Sequence, residues 1–443
     1  MKMSFLPHFL KRHVEGRPYL AKVFANIGWL SFDKFIRMGV GVFISVWVAR
    51  YLGPEQFGLL NFSTAFVGLF GAISALGLES IVVRDLVEKP QNASKTLGTS
   101  LVMQVTGGVL SYFFIISAIF ILRPDDKLSQ IAVAILGLMM LCKGEIAVYW
   151  FESKVQSKYT VWVQNSVFLL FATIKLVLII HNANLIFFVW AVFAEVALVA
   201  LLLLYVMNRK GPALKNLRFN LDWAQHLLKE SWPLILSGIS ISIYMKIDQL
   251  MLGQILNDKA VGIYSAALRF SEIWHFIPIV IVASVFPAIV YAKNVSESLY
   301  NERMQKLFNL MITISLFLSL PMTFLAKPLM HFLYGPAFEE AGTVLAIHIW
   351  SSVFVFIGVA SSKWMVIENL QLITLQRSIL GAVVNIGLNM WLIPINGVIG
   401  AASATIISFS ISTYFADVIN TKTRKLFMMK SRSLFFMSFM KMG

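Results

Sequence analysis

Three ionisable residues, Asp33, Lys34 and Arg37, interrupt the apolar stretch FANIGWLSFDKFIRMGVGVFISVWVA at residues 24–49. An apolar run of about 20 residues crosses a hydrocarbon core of roughly 30 Å. An ionised group at the middle of such a span costs on the order of 2.5–3.5 kcal/mol on insertion scales, so it faces a bundle interior or a wet cavity. At 100° per residue, Asn26, Asp33 and Arg37 fall within about 40° of one another. Two chemistries fit that face. Asp33 and Arg37 form an i,i+4 pair that glues helices, or the face is a cationic lining that receives an anionic substrate.

Other apolar stretches carry polar groups too. Ser237, Ser240, Tyr244 and Asp248 share one helical face, with Lys246 pointing nearly opposite. Lys175 and Glu195 are single charges in successive spans and are able to pair. Residues 59–83 place Asn61, Ala65, Gly68, Ala72, Ala75 and Glu79 on one face, either a close-packing stripe or a smooth cavity wall. Lys143, Glu145 and Glu152 bracket Tyr149-Trp150-Phe151. Those aromatics suit interfacial anchoring as well as sugar stacking. Acidic groups on polar faces (Asp33, Asp248 and Glu272) are the candidates to bind a coupling proton or cation.

The elements that must hold these residues are membrane helices. The 443 residues are 58% hydrophobic and 13% charged, with mean hydropathy +0.76, against roughly 25% charged in soluble domains. A net charge of +15 would suit nucleic acid, but the basic residues sit in short hydrophilic joints, a topology signal. One cysteine, Cys142, excludes an internal disulfide and a cysteine-rich metal site. Hydropathy predicts about twelve spans: 24–49, 59–83, 97–122, 128–150, 159–181, 184–207, 231–256, 260–291, 306–327, 342–364, 372–393 and 397–420. Lys and Arg crowd the joints on one side, with Lys2, Lys11, Arg12 and Arg17 before the first span and Lys441 in the tail, which predicts both termini in the cytoplasm. The first apolar run lacks a cleavage site of small residues and reads as an uncleaved anchor.

The basic joint 208–230 contains Gly211-Pro212 and then Leu221, Trp223, Leu227 and Leu228, which suits a short interfacial helix. On either side of it the chain repeats. Leu52-Gly-Pro-Glu-Gln-Phe-Gly58-Leu aligns with Leu256-Asn-Asp-Lys-Ala-Val-Gly262-Ile at a constant offset. The same offset maps Asn61, Ala65 and Gly68 onto Ser265, Arg269 and Glu272. The expected architecture is an all-α membrane protein with two six-helix lobes, residues 1–210 and 211–443, around a central cavity. No G-x-x-x-x-G-K-[ST] loop, no H-E-x-x-H motif and no large soluble domain is present, so neither P-loop ATP hydrolysis nor zinc-protease chemistry is expected. No cofactor is expected beyond the coupling proton or sodium ion.

Several segments carry a family resemblance. They are Val48-Ala-Arg-Tyr-Leu-Gly-Pro-Glu-Gln-Phe-Gly-Leu-Leu-Asn61, Tyr149-Trp-Phe-Glu-Ser-Lys-Val-Gln-Ser-Lys-Tyr159, Tyr334-Gly-Pro-Ala-Phe-Glu-Glu-Ala341, Gly381-Ala-Val-Val-Asn385 through Asn389, Leu392-Ile-Pro394 and Gly400-Ala-Ala-Ser-Ala404. With them the chain resembles the Wzx-type oligosaccharide-lipid flippases of the multidrug/oligosaccharidyl-lipid/polysaccharide exporter superfamily. Glu152, where many relatives carry Gln, departs from the pattern. The resemblance implies a non-enzymatic transporter of the bacterial inner membrane. Its substrate would be an undecaprenyl-diphosphate-linked repeat unit for O-antigen or capsule, moved to the periplasmic leaflet by alternating access. Its partners would be that lipid-linked oligosaccharide, membrane lipids and other polysaccharide-assembly proteins. A diphosphate calls for permanent, bidentate cations. Arg37 and Arg269, from opposite lobes, are the expected ligands, with Lys34, Lys175, Asn26 and Asn61 alongside. The rival readings are an ion-coupled multidrug or metabolite antiporter of the same superfamily and a membrane polysaccharide polymerase.

Overall fold

The chain folds almost wholly into helices, and the computed structural model describes residues 18–435. The basic flank Lys2, Lys11, Arg12 and Arg17, and Lys441, lie outside them. No strand occurs among the described residues. Helix α1 (Pro18–Leu69) is followed by the short α2 (Gly71–Ala75) and α3 (Glu79–Glu88), then α4 (Ala93–Leu122), α5 (Lys127–Gly137) and α6 (Glu145–Ser153). Next come α7 (Lys158–Ile180), α8 (Leu185–Lys210), α9 (Leu221–Ile255), α10 (Asp258–Glu272) and α11 (Phe276–Val295). The chain continues with α12 (Glu297–Tyr334), α13 (Glu339–His348), α14 (Ser351–Ile367) and α15 (Gln371–Ser410). A π-helical turn, Ile411–Phe415, leads into α16 (Ala416–Ile419), and α17 (Arg424–Leu434) closes the described chain.

Nine of these helices or helix runs are long and apolar enough to cross a bilayer, and the bent pair Pro336–His348 and Ser351–Ile367 makes a tenth. Two of them are double. Helix α1 has 52 residues and the run Gln371–Ile419 has 49; at 1.5 Å per residue each rises more than 70 Å, roughly twice a hydrocarbon core. Each is broken where a glycine takes a positive φ, Gly53 at 71° and Gly397 at 56°. Counting each as two crossings gives the twelve expected. Phe317, Phe324 and Phe332 along α12 are about four-fifths exposed, as side chains that meet acyl chains must be.

The described residues pack as two compact units: those up to Ser45 with Phe70–Leu236, and Val46–Leu69 with those from Ser237 onward. The boundary between these units falls inside α1 and α9. Leu221–Leu228, expected as a separate interfacial helix, form the first turns of α9 and run unbroken into its apolar part, with Pro233 accommodated inside the helix.

In the first unit, Leu78, Val82, Leu86, Leu97, Ile146, Phe151, Leu203 and Met207 make a core that joins α3, α4, α6 and α8. Two spans are interrupted there. The α2–α3 break has Leu76 and Gly77 at positive φ, and α5 gives way to a 3-10 turn and a non-helical stretch before α6. Lys143 lies at the second break and is only 6% exposed. Its ammonium donates to the Ser74 hydroxyl of α2. Lys143 flanks an aromatic run that suits interfacial anchoring, but burial at a helix break makes it a strut between two interrupted spans.

In the second unit, Met304, Phe308, Met311, Phe356, Ile357, Trp364, Tyr414 and Leu426 pack α12, α14, the π-helical turn and α17 together. The 46–69 part of α1 meets α10 backbone to backbone. A β-carbon on Gly58 would overlap the Asp258 carbonyl, and one on Gly262 would overlap the Pro54 carbonyl. Only glycine permits that approach. Positions 54 and 258, and 58 and 262, are the pairs matched by the internal repeat.

Candidate functional site

The second unit gathers a polar centre around Asp248 of α9. Helix α9 brings Asp248 to a position 7% exposed. From α10, the Tyr264 hydroxyl donates to Asp248 Oδ2 at 2.8 Å. Helix α15 reaches the carboxylate from both sides of its Gly397 break. Before the break, Asn389 Nδ2 donates to Asp248 Oδ1 at 2.6 Å and to Asn385 Oδ1 at 3.1 Å. After it, Thr405 Oγ1 donates to Asp248 Oδ2 at 2.5 Å. Gly400 lies so close to the Leu392 carbonyl that a β-carbon would collide with it. That close turn is what brings both halves of α15 to one carboxylate.

The centre has donors but, among the described residues, no counter-charge. Among the described residues no Lys, Arg or His forms an ion pair with Asp248. A buried carboxylate without a cation is strongly disfavoured unless hydrogen bonds or a proton compensate it. Asn389 Oδ1 is buried and has no hydrogen-bond partner among the described residues. Turning that amide over would direct three oxygens, from Asp248, Asn385 and Asn389, toward one point. Oxygen-only ligation of this kind suits a hard monovalent cation; protonation of the carboxyl is the other way to neutralise it.

The remaining candidates are placed as follows. Arg37 Nε donates to Asp33 Oδ1 at 2.8 Å, with side chains 35% and 16% exposed, and its guanidinium lies 5.7 Å from the centre of the Phe168 ring. The expected i,i+4 pair is therefore made. Lys34 is exposed. Asn26 Oδ1 accepts from the Ser157 backbone N–H at 2.8 Å. Lys175 and Glu195 pair at 2.7 Å. Asn61 Nδ2 donates to the Phe57 carbonyl of its own helix at 2.7 Å. Arg269 is exposed near the end of α10, and Glu272, which ends that helix, feels the charges of Lys246 and Arg269. Tyr244 is diverted from the Asp248 centre and bonds the Ser412 hydroxyl at 3.0 Å.

Sequence reasoning missed Tyr264, Asn385, Asn389 and Thr405 as partners of Asp248. The i,i+4 asparagines in an apolar span were the available signal. It also passed over Arg377, whose Nη1 lies 3.0 Å from Asp417 Oδ1. Asp417 in turn takes the Lys430 ammonium of α17 at 2.6 Å. Burial pushes the Lys430 ammonium down to about 7, with Asp417 opposing the shift and Arg377 adding to it.

This arrangement of helices occurs in known membrane exporters. It matches an inward-facing MATE multidrug resistance transporter of the MOP superfamily over 90% of this chain and 99% of that one, with TM-score 0.72 at 13% identity. It matches lipid II flippase MurJ, inward closed, over 91% and 90%, with TM-score 0.69 at 14% identity. The protein is thus a multi-pass membrane protein with the fold of that superfamily. The family described as polysaccharide biosynthesis protein matches residues 23–293, and the MatE family matches 233–391. The chain belongs to the polysaccharide biosynthesis protein family. Succinoglycan biosynthesis transport protein ExoT of Rhizobium meliloti (strain 1021) is 24% identical over 73% of this chain, which spans 64% of that relative's length. A Haloferax volcanii protein described as "probable low-salt glycan biosynthesis flippase Agl15" is 22% identical over 82% of this chain and 76% of its own. The resemblance read from the sequence motifs holds at the level of the superfamily.

Proposed function

We propose that the chain is an ion-coupled flippase for lipid-linked glycans. It would move undecaprenyl-diphosphate-linked repeat units of O-antigen or capsule from the cytoplasmic to the periplasmic leaflet of the inner membrane by alternating access, with both termini cytoplasmic. Family membership and relatives described as glycan-related transporters and flippases support the substrate class. The observation that carries the coupling is the Asp248 centre: a buried carboxylate that meets Tyr264, Asn389 and Thr405 but, among the described residues, no basic side chain. A carboxylate in that position is neutralised by taking up a cation or a proton, and the free energy of a gradient can act through it. In this proposal Arg37, Lys34 and Arg269 meet the diphosphate, and Asp33 tempers Arg37. Lys175, Asn26 and Asn61, already bonded within the protein, act on the headgroup indirectly through helix position. Glu272, beside Arg269, shares in coupling.

The test uses the purified chain in proteoliposomes that hold a fluorescent undecaprenyl-diphosphoryl oligosaccharide. Flipping should follow an imposed sodium or proton gradient and stop when both are collapsed. Undiminished flipping without either gradient rejects coupling; absence of flipping under every gradient rejects the substrate. The MATE-like fold favours a drug antiporter as the second reading, and gradient-driven efflux of a cationic dye without glycan flipping would select it.

A further inference from the structure

A second polar feature of the second unit lies outside the Asp248 centre. A cavity of about 280 Å³ is lined by side chains of α9, α14, α15 and the π-helical turn, among them Arg377, Thr374, Ser361, Ser362, Thr413 and Phe409. A π-helical turn widens the helix locally and is frequent at functional sites. Here it sets both Ser412 and Thr413 on the wall.

The charge at this wall does not balance. Arg377 Nε donates to the Ser412 carbonyl at 2.6 Å and Nη1 lies 3.0 Å from Asp417 Oδ1, with the Arg377 side chain 11% exposed. The other Asp417 oxygen takes Lys430 Nζ at 2.6 Å, and both of those side chains are fully buried. Two basic side chains therefore share one carboxylate, and the cluster carries a surplus positive charge whenever Lys430 is protonated. Among the described residues Asp417 is the carboxylate paired with both. A surplus positive charge in such a place is costly unless an anion meets it.

The hydroxyls across the cavity are spent as donors. Ser361 donates to the Ile357 carbonyl, Ser362 to Val359 and Thr413 to Phe409, each within its own helix. What they offer the cavity is oxygen lone pairs. The second Nη of Arg377 has no partner among the described residues. A ligand that satisfies this wall has an anionic end for the guanidinium and hydroxyl donors for the serine and threonine oxygens. Inorganic phosphate supplies the first and a free sugar the second. A glycosyl phosphate supplies both.

We propose that the Arg377 cavity binds a glycosyl phosphate, with the phosphate on the Arg377 guanidinium and sugar hydroxyls donating to Ser361, Ser362 and Thr413. As a stage in transport the site rests on the flippase reading; as a binding site it stands on the wall's own chemistry. The head of a lipid-linked glycan and a free sugar phosphate share that chemistry.

Thermal unfolding of the purified full chain in detergent, followed by tryptophan fluorescence, tests it with four probes. They are a hexose 1-phosphate, inorganic phosphate, the free hexose, and the same hexose on a C15 isoprenyl diphosphate. A saturable rise in melting temperature is expected with the hexose 1-phosphate or the isoprenyl compound, and at least tenfold weaker binding of phosphate and of hexose. Response to the isoprenyl compound alone assigns the site to the lipid-linked source; response to both, or to the soluble ester alone, admits a free sugar phosphate. Arg377→Gln should weaken binding at least tenfold. It leaves Lys430 and Asp417 as a neutral pair, so the fold is expected to persist. If that variant does not fold, Lys430→Met should show a similar loss, because Arg377 is then neutralised one-to-one by Asp417. Ser361→Ala with Thr413→Val should abolish the preference for the sugar ester over phosphate. Failure of both sugar esters to bind, equal binding of inorganic phosphate, or unchanged affinity in the variant that folds overturns the inference. Flipping by the wild-type chain bears on the function and not on this result. Binding without flipping would reject the flippase reading and leave the site standing.

Discussion

Asp248→Asn is the change that bears most directly on coupling. The carboxamide keeps the shape of the side chain, so the packing of α9 against α10 and α15 is undisturbed. Three donors converge on the carboxylate, from Tyr264 at 2.8 Å, Asn389 at 2.6 Å and Thr405 at 2.5 Å. The variant's NH2 group must face some of them. Thr405 has an alternative acceptor in the Ala401 carbonyl at 3.0 Å, the Tyr264 hydroxyl rotates, and the Asn389 amide can turn over. Loss of global stability should therefore stay near 1 kcal/mol, the size of one neutral hydrogen bond. The loss of ion response should be complete. A site occupied at a hundred times its Kd stabilises the folded state by about 2.7 kcal/mol, and the wild-type melting temperature should rise accordingly with sodium chloride, measured against choline chloride at fixed ionic strength. If the proton is the coupling species, the rise should appear instead as pH is lowered at constant sodium. Asp248→Asn should lose the sodium response, and below pH 7, where Lys430 contributes no slope, it should lose the part of the pH response that Asp248 supplies. A variant that keeps the wild-type sodium or pH response would refute the assignment, because no charged group would then remain at that centre to bind either ion.

Three other perturbations follow from the packing. Gly58→Ala or Gly262→Ala must push α1 from α10, at about 1–3 kcal/mol for overpacking, and should lower the melting temperature more than Gly39→Ala, where space is open; equal effects would show that the crossing is loose. Lys175→Ala strands Glu195, with side chains 18% and 19% exposed, and should reduce membrane protein level, at roughly 3 kcal/mol for a broken pair. Adding Glu195→Ala should restore the level, and failure to do so would argue that the pair is more than a strut. The Lys430 ammonium is held down at about 7 against 10.5, so between those values the undocked tail binds more protons than the docked one. Docking of α17 should strengthen as pH rises from 7 to 10.5 and level off below 7, read by hydrogen exchange of residues 424–434 corrected for intrinsic rate. A pH-independent protection factor would contradict the buried position.

Charge in an apolar span was the most legible signal: the two pairs it offered, Asp33–Arg37 and Lys175–Glu195, are made, and it singled out Asp248. The i,i+4 pair and the neighbouring-span pair were readable because both partners lie within a few turns or one hairpin of each other. The partners of Asp248 were not readable in the same way. Asn389 and Thr405 lie 141 and 157 residues along the chain from it, and only the Gly397 break places them together. Arg377 resisted for a related reason: its meaning depends on Asp417 and on Lys430 of a tail helix that composition marks only as basic. Hydropathy counted the crossings well because lipid imposes a fixed length on each. It could not show that Leu221–Leu228 continue into a span, since an amphipathic start and an interfacial helix have the same pattern.

The crossing of residues 46–69 with α10 has the form of a contact between two copies of one molecule. In a two-fold dimer a patch meets itself, so that residue i touches j of the partner and j touches i. Gly58 meets Asp258 and Gly262 meets Pro54, and these four positions are two pairs of equivalents under the internal repeat. One polypeptide thus preserves an isologous interface of the kind a half-length ancestor would make with its twin. In such a twin every substitution would strike the contact twice. Once the halves are fused the two sites are free to differ, and they have: one carries proline where the other carries aspartate, while the glycines that allow the backbones to touch are the same in both.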